Sequence, residues 1–223
     1  MNLCGTNFLN WFGNSIVSDE SGNPLLVYRG EYGASKAVLN KRVSEPQWAE
    51  FQTRLGSLSF GSEAAAKCYS LRSCWRNDLP VAPRITSAYL SIQKPVMNRP
   101  DDPYVELTEI ACALGGRWAR RIALGLKDYI THTNNWCDRI GPRFSSFEEY
   151  FGSKSFALED LYFNAYALFD DPQYAALFKD AGFDGAIHGG SGTTFDEAEY
   201  KVFSAKQVWP LSTVAVDQEK LAR

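Results

Sequence analysis

Two glutamates separated by one residue, in Phe195-Asp196-Glu197-Ala198-Glu199-Tyr200, have the type and spacing that most directly suggest chemistry. In an extended segment, positions i and i+2 point to the same side, so both carboxylates face one site. Such a pair can divide its work: one carboxylate bonds a substrate, and the other moves a proton or stabilises a developing cation. The neighbouring loop, Gly189-Gly190-Ser191-Gly192-Thr193-Thr194, has no Lys-Ser/Thr ending and no dinucleotide glycine spacing. It is therefore neither a P-loop nor a Rossmann fingerprint. A serine hydrolase is excluded too, because there is no Gly-x-Ser-x-Gly and His132 and His188 sit in no triad context.

A cation and a pair of serines follow the same logic. Arg29-Gly30 comes straight after the apolar run Leu25-Leu26-Val27-Tyr28, so a charge lies at the end of a predicted strand and needs a partner. Ser59 and Ser62 flank Phe60 and Gly61 in a short strand-like piece. Ser62 is placed to cap a helix over Glu63 to Tyr69, whose N-terminus favours anions. Arg117, Arg120, Arg121 and Lys127 form a basic cluster, either a solvated helix face or a nucleic-acid footprint.

The elements that must position these groups are readable in outline. Spacing predicts a helix over 35–55, a strand over 85–92 ended by Gln93-Lys94-Pro95, and helical stretches over 104–129, 147–169 and 172–180. Glycine at Ala181-Gly182 closes the last of these. Strand chemistry returns at 183–188, 199–203 and 207–209. Strands early and late with helices between them predict an α+β chain, its core mostly antiparallel.

Composition narrows the class. The chain has 223 residues, 45% hydrophobic and 22% charged, with a net charge of −3, so no global basic field draws it to nucleic acid or anionic lipid. Its five cysteines are an odd, scattered number without a CxxC, which argues against structural zinc and a disulfide scaffold and for a reducing compartment. The first residues do not read as a cleaved signal, and no apolar run reaches the roughly 18 residues of a membrane span. A cytoplasmic protein, or one delivered into a host cytoplasm, is the expectation.

In sequence order, these signals resemble one family, the ADP-ribosyltransferases, especially the small domains found in phage polyvalent and bacterial toxin or effector proteins. The likeness runs through Trp11 to Val17, Gly22 to Gly30, Ser59-Phe60-Gly61-Ser62 with Ala64 to Tyr69, Ala88 to Pro95, Ala181 to Ile187, and Glu199-Tyr200-Lys201-Val202-Phe203 to Gln207. It covers roughly half the chain, and residues 98–170 stand outside it as a helical insertion. Where one branch of the family carries histidine, tyrosine and glutamate, this chain has Arg29, Ser59 and Glu199, which resembles the Arg-Ser-Glu branch. Its usual Ser-Thr-Ser reads Ser-Phe-Gly here.

The resemblance implies one domain over 1–223 with a split antiparallel β core. It implies an NAD-dependent mono-ADP-ribosyltransferase that releases nicotinamide and modifies an arginine of a target protein. Glu199, Glu197 and Ser59 would be catalytic, and Arg29, Gly30, Phe60 and Tyr69 would bind NAD. Phe195 would touch the acceptor. NAD is a co-substrate, with no metal and no membrane partner. The alternatives are water as acceptor in an NAD glycohydrolase toxin, a nucleic acid such as RNA as acceptor, and a non-catalytic partner-binding module on the same fold.

Overall fold

Among the described residues, two larger β-sheets and one two-stranded sheet, with helices between their strands, make an α+β protein. This is a computed structural model, and it describes residues 6–31, 55–71, 83–191 and 197–216. In chain order the elements are α1 (Thr6–Phe12), β1 (Val27–Glu31), β2 (Leu58–Phe60), α2 (Glu63–Leu71), β3 (Arg84–Leu90), β4 (Pro95–Arg99) and β5 (Tyr104–Glu106). Three helices follow, α3 (Leu107–Leu114), α4 (Gly116–Gly125) and α5 (Lys127–Ile130), then a π-helical turn at Trp136–Ile140 and α6 (Phe147–Gly152). The chain continues through β6 (Tyr162–Asn164), α7 (Ala165–Phe169), α8 (Pro172–Asp180), β7 (Gly185–Gly189), β8 (Ala198–Val202) and β9 (Val208–Ala215).

The first sheet has the order β1-β3-β9 and the second β2-β8-β7-β4, while β5 and β6 pair alone. Every ladder is antiparallel except β4 with β7. Helix α8 shows local rules at work: Asp171 caps it by accepting from the Gln173 amide at 2.8 Å, and Pro172 occupies the first turn. Gly182, at φ +85°, follows it in the left-handed region.

Several expectations change. Pro95 begins β4 rather than ending a strand; at the first residue of an edge strand its missing N–H is harmless. The 104–129 stretch opens as β5 and breaks at Gly115, whose φ of +88° no helix interior accepts. The 147–169 stretch contains β6, because Tyr104 pairs with Asn164 and Val105 with Phe163 across the insertion. Arg29 lies within β1, not past its end. The helix expected over 35–55 falls outside the described residues except for Leu55.

The two faces of the second sheet do different jobs. Leu58, Phe60, Ile187 and Val202 pack with Val27, Ala88, Leu90 and Ile92 between the sheets. Period-two alternation puts Ser59, Glu199, Lys201, Ala186 and His188 on the opposite face. That side meets the larger core, where Ala186 packs with Phe169 and Phe178 from the helical segment.

Among the described residues the strands of the two sheets pair with each other at one point, where Tyr28 and Gly61 exchange both backbone hydrogen bonds at 2.9 Å. Continuing that antiparallel register places Gly30 across from Ser59, and alternation turns the Gly30 N–H and C=O toward β2, away from β3. Glycine is demanded here by close approach: a Cβ at Gly30 would lie 1.8 Å from the Ala66 carbonyl oxygen of α2. Gly30→Ala should therefore force β1 and α2 apart and cost about 3 kcal/mol in urea unfolding. Gly116→Ala, where a Cβ meets nothing within 4 Å, should stay within about 0.5 kcal/mol in the same measurement.

Candidate functional site

The centre of the site is a lysine in the middle of a strand. Lys201 on β8 is 1% exposed, and its Nζ reaches Ser59 Oγ, Asp170 Oδ1 and Glu199 Oε1, each at 2.7 Å. Three acceptors meet the three donors of an ammonium, so the buried charge is fully hydrogen-bonded. Ser59 sits opposite Lys201 in the β2–β8 ladder, and Glu199 lies two residues before it on the same face. Asp170 arrives from the end of α7, and the Ser57 hydroxyl donates to its Oδ1 at 3.2 Å.

Electrostatics follow from this burial. Burial alone would raise the Glu199 carboxyl, but the Lys201 ammonium outweighs it, helped by His188 and the Ser59 hydroxyl, and Glu199 falls to about 2. Burial alone would lower Lys201, and Glu199 and Asp170 overcome it, so the ammonium titrates above its ordinary value. Both groups are charged throughout the physiological range.

Arg29 approaches Ser59 from the other side. Its Nε donates to Glu31 Oε1 at 2.9 Å and its Nη1 to the Ser59 carbonyl at 3.0 Å. Arg84 shares the same glutamate, donating to Glu31 Oε2 at 2.8 Å. All three are buried, at 8%, 5% and 5% exposure. Two cations on one carboxylate leave this trio with one net positive charge. Ser59 is thus the meeting point: Arg29 takes its carbonyl, while Lys201 and Glu199 take its hydroxyl. The backbone edge of Gly30 faces it across the split.

The remaining expected residues are distributed around this centre. Glu197, just before β8, accepts a hydrogen bond from the Ser62 hydroxyl, and Ser62 also caps α2 through the Ala65 amide at 3.0 Å. The carboxylate is therefore held at a helix N-terminus, as the helix dipole favours. Tyr69 is 42% exposed on α2, the helix whose Ala66 and Ser70 cover Gly30. Phe60 differs from expectation: at 2% exposure it points into the core between the sheets, opposite to Ser59, and offers a ligand no ring face. Phe195 lies outside the described residues.

Lys201 and Asp170 are the functional candidates that sequence reasoning missed. A signal for Lys201 existed: in Glu199-Tyr200-Lys201-Val202 a cation shares the acidic face of a strand whose other face is apolar. His188, expected at a strand end, is 2% exposed within β7, directly opposite Glu199. Its Nδ1 meets the Gly189 carbonyl at 2.7 Å and its ring lies near parallel to Phe169. In the basic cluster, Arg120 packs over Phe151 and Phe156, Arg121 over Trp118, and Lys127 pairs with Glu148. Among the described residues no group of three or more His, Cys, Asp or Glu could hold a metal ion, and no helix is long and apolar enough to cross a membrane. Comparison with known proteins found no matching family model, curated protein or solved structure.

Glu199→Gln keeps an acceptor but removes a negative charge beside a buried ammonium, and should cost about 2 kcal/mol at neutral pH. Because the folded-state value of Glu199 is depressed, its contribution is present above 4.5 and is lost as pH falls toward about 2. Urea unfolding of both proteins across that window should show the gap between wild type and Glu199→Gln closing as the pH drops.

Proposed function

We propose that the chain is an NAD-dependent mono-ADP-ribosyltransferase of the Arg-Ser-Glu type, acting on arginine. The observation that carries this reading is the convergence on Ser59 of the Arg29 guanidinium and the Glu199 carboxylate, with the Gly30 backbone edge facing it across the split. Two mostly antiparallel sheets, joined backbone to backbone at a single pair among the described residues, also suit the split β core of that fold.

The chemistry follows from these placements. The N–H and C=O of Gly30 match the carbonyl and amino groups of a carboxamide such as nicotinamide. The net positive trio of Arg29, Arg84 and Glu31 suits a diphosphate. When the ribose–nicotinamide bond breaks, nicotinamide leaves with the bonding pair as a neutral base, and positive charge develops on the ribose. Glu199, ionised and held by Ser59, accepts from a ribose hydroxyl and stabilises that cation. The acceptor guanidinium nitrogen then bonds to the anomeric carbon while Glu197 takes its proton.

One observation favours a second reading, a non-catalytic partner-binding module. The pairing of Glu199 with Lys201 at 2.7 Å offsets much of the charge that a catalytic carboxylate offers a cation. Incubation with labelled NAD and an arginine mimic such as agmatine separates the two. Wild type should release nicotinamide and label agmatine, and Glu199→Gln should lose about 100-fold or more of both, with folding checked by thermal melting. Glu197→Gln should abolish labelling while nicotinamide release persists. Release without labelling in the wild type means water is the acceptor, and neither signal means a binding module.

A further inference from the structure

The Lys201 cluster has a feature that stability alone does not explain. A fully buried ammonium with two carboxylates is seldom more stable than an apolar side chain of similar volume, because desolvation opposes the Coulomb attraction. The neighbours on the other face of β8, Tyr200 and Val202, show that this strand accommodates apolar packing. The ionic arrangement does something that packing would not: it fixes the rotation of the Glu199 carboxylate. With Lys201 on Oε1 and the Ser59 hydroxyl also bonded to the carboxylate, Glu199 presents its remaining lone pairs to a substrate hydroxyl in one orientation.

We propose that Lys201 and Asp170 are positioning residues for Glu199, so that the helical segment ending at Asp170 is part of the catalytic machinery. This rests on the transferase reading above. Asp170 accepts from Lys201 Nζ at 2.7 Å, and its own backbone carbonyl accepts from the Gly56 amide at 2.9 Å. The Ser57 hydroxyl adds a second tie to the run that leads into Ser59. The segment therefore locks together the strand bearing Ser59 and the strand bearing Glu199. Lys201, Glu199 and Asp170 carry one net negative charge between them, which a developing ribose cation still senses. The charged and titratable groups facing Glu199 are Lys201 on its own strand, His188 on β7 and Asp170 beyond Lys201.

The test combines nicotinamide release from NAD as a function of pH with a carbon-13 titration of the Glu199 carboxylate, in wild type, Lys201→Gln, Lys201→Arg and Asp170→Asn. In Lys201→Gln the Glu199 titration should rise by about one pH unit or more, and the acid limb of kcat should rise with it. At neutral pH kcat should fall about 10-fold or more with KM for NAD unchanged, and Lys201→Arg should recover part of the loss. Asp170 is 41% exposed in its side chain, so Asp170→Asn folds even if the lysine variants do not. Its kcat should fall with KM unchanged. Variants that melt lower but keep the wild-type titration and kcat overturn the proposal. A wild type that cleaves no NAD, with the Glu199 titration shifted in Lys201→Gln, overturns the transferase reading and leaves the coupling of Lys201 to Glu199 standing.

Discussion

A positive charge that water cannot reach governs this structure. Lys201 projects from β8 into a region enclosed by the helical segment, and an ammonium there is tolerable only with all three donors engaged. That condition specifies its surroundings. A hydroxyl must stand opposite on β2, a carboxylate must share the face two residues away, and a second carboxylate must come from the segment that covers the sheet. Ser59, Glu199 and Asp170 meet those demands, and the geometry of the site is largely the solution to one desolvation problem.

The second organising feature is the parting of the two sheets. They are stitched by the reciprocal bonds of Tyr28 and Gly61, and beyond that pair each strand follows its own sheet. Gly30 allows β1 to run against the backbone of α2, and Arg29 spans the opening to reach the Ser59 carbonyl. The buried ion cluster of Arg29, Glu31 and Arg84 and the one around Lys201 thus meet at a single residue. Hydrogen bonds therefore reach Ser59 from both clusters, beside the apolar core that packs Leu58 and Phe60 between the sheets, which makes orientation, and not only stability, sensitive to changes in either.

Much of the local structure was legible beforehand. The helix at 172–180 was readable from its spacing and the glycine after it, and the cap of α2 from Ser62. The spacing of Glu197 and Glu199 placed two carboxylates next to a glycine-rich loop, and the family resemblance singled out Arg29, Ser59 and Glu199, three residues that lie together in the structure. The misreadings share a cause. Tyr104 to Glu106 and Tyr162 to Asn164 carry helical spacing on either side, yet form strands because each is the partner of the other. Phe60 sits beside Ser59 in sequence and on the far side of the sheet in space, a consequence of the pleat alone.

Caps, turns, strand-forming runs and the charge pattern act over a few residues, and for these the order of amino acids was enough to establish an α+β chain with an acidic pair near its end. Which groups face one another across the site was decided by closure of the chain. Lys201 is 142 positions from Ser59 and 31 from Asp170, and nothing within reach of local propensity connects them. The pairing arises when the helical segment seals one face of the second sheet, removing water from Lys201 and leaving Ser59, Glu199 and Asp170 as the groups that satisfy it.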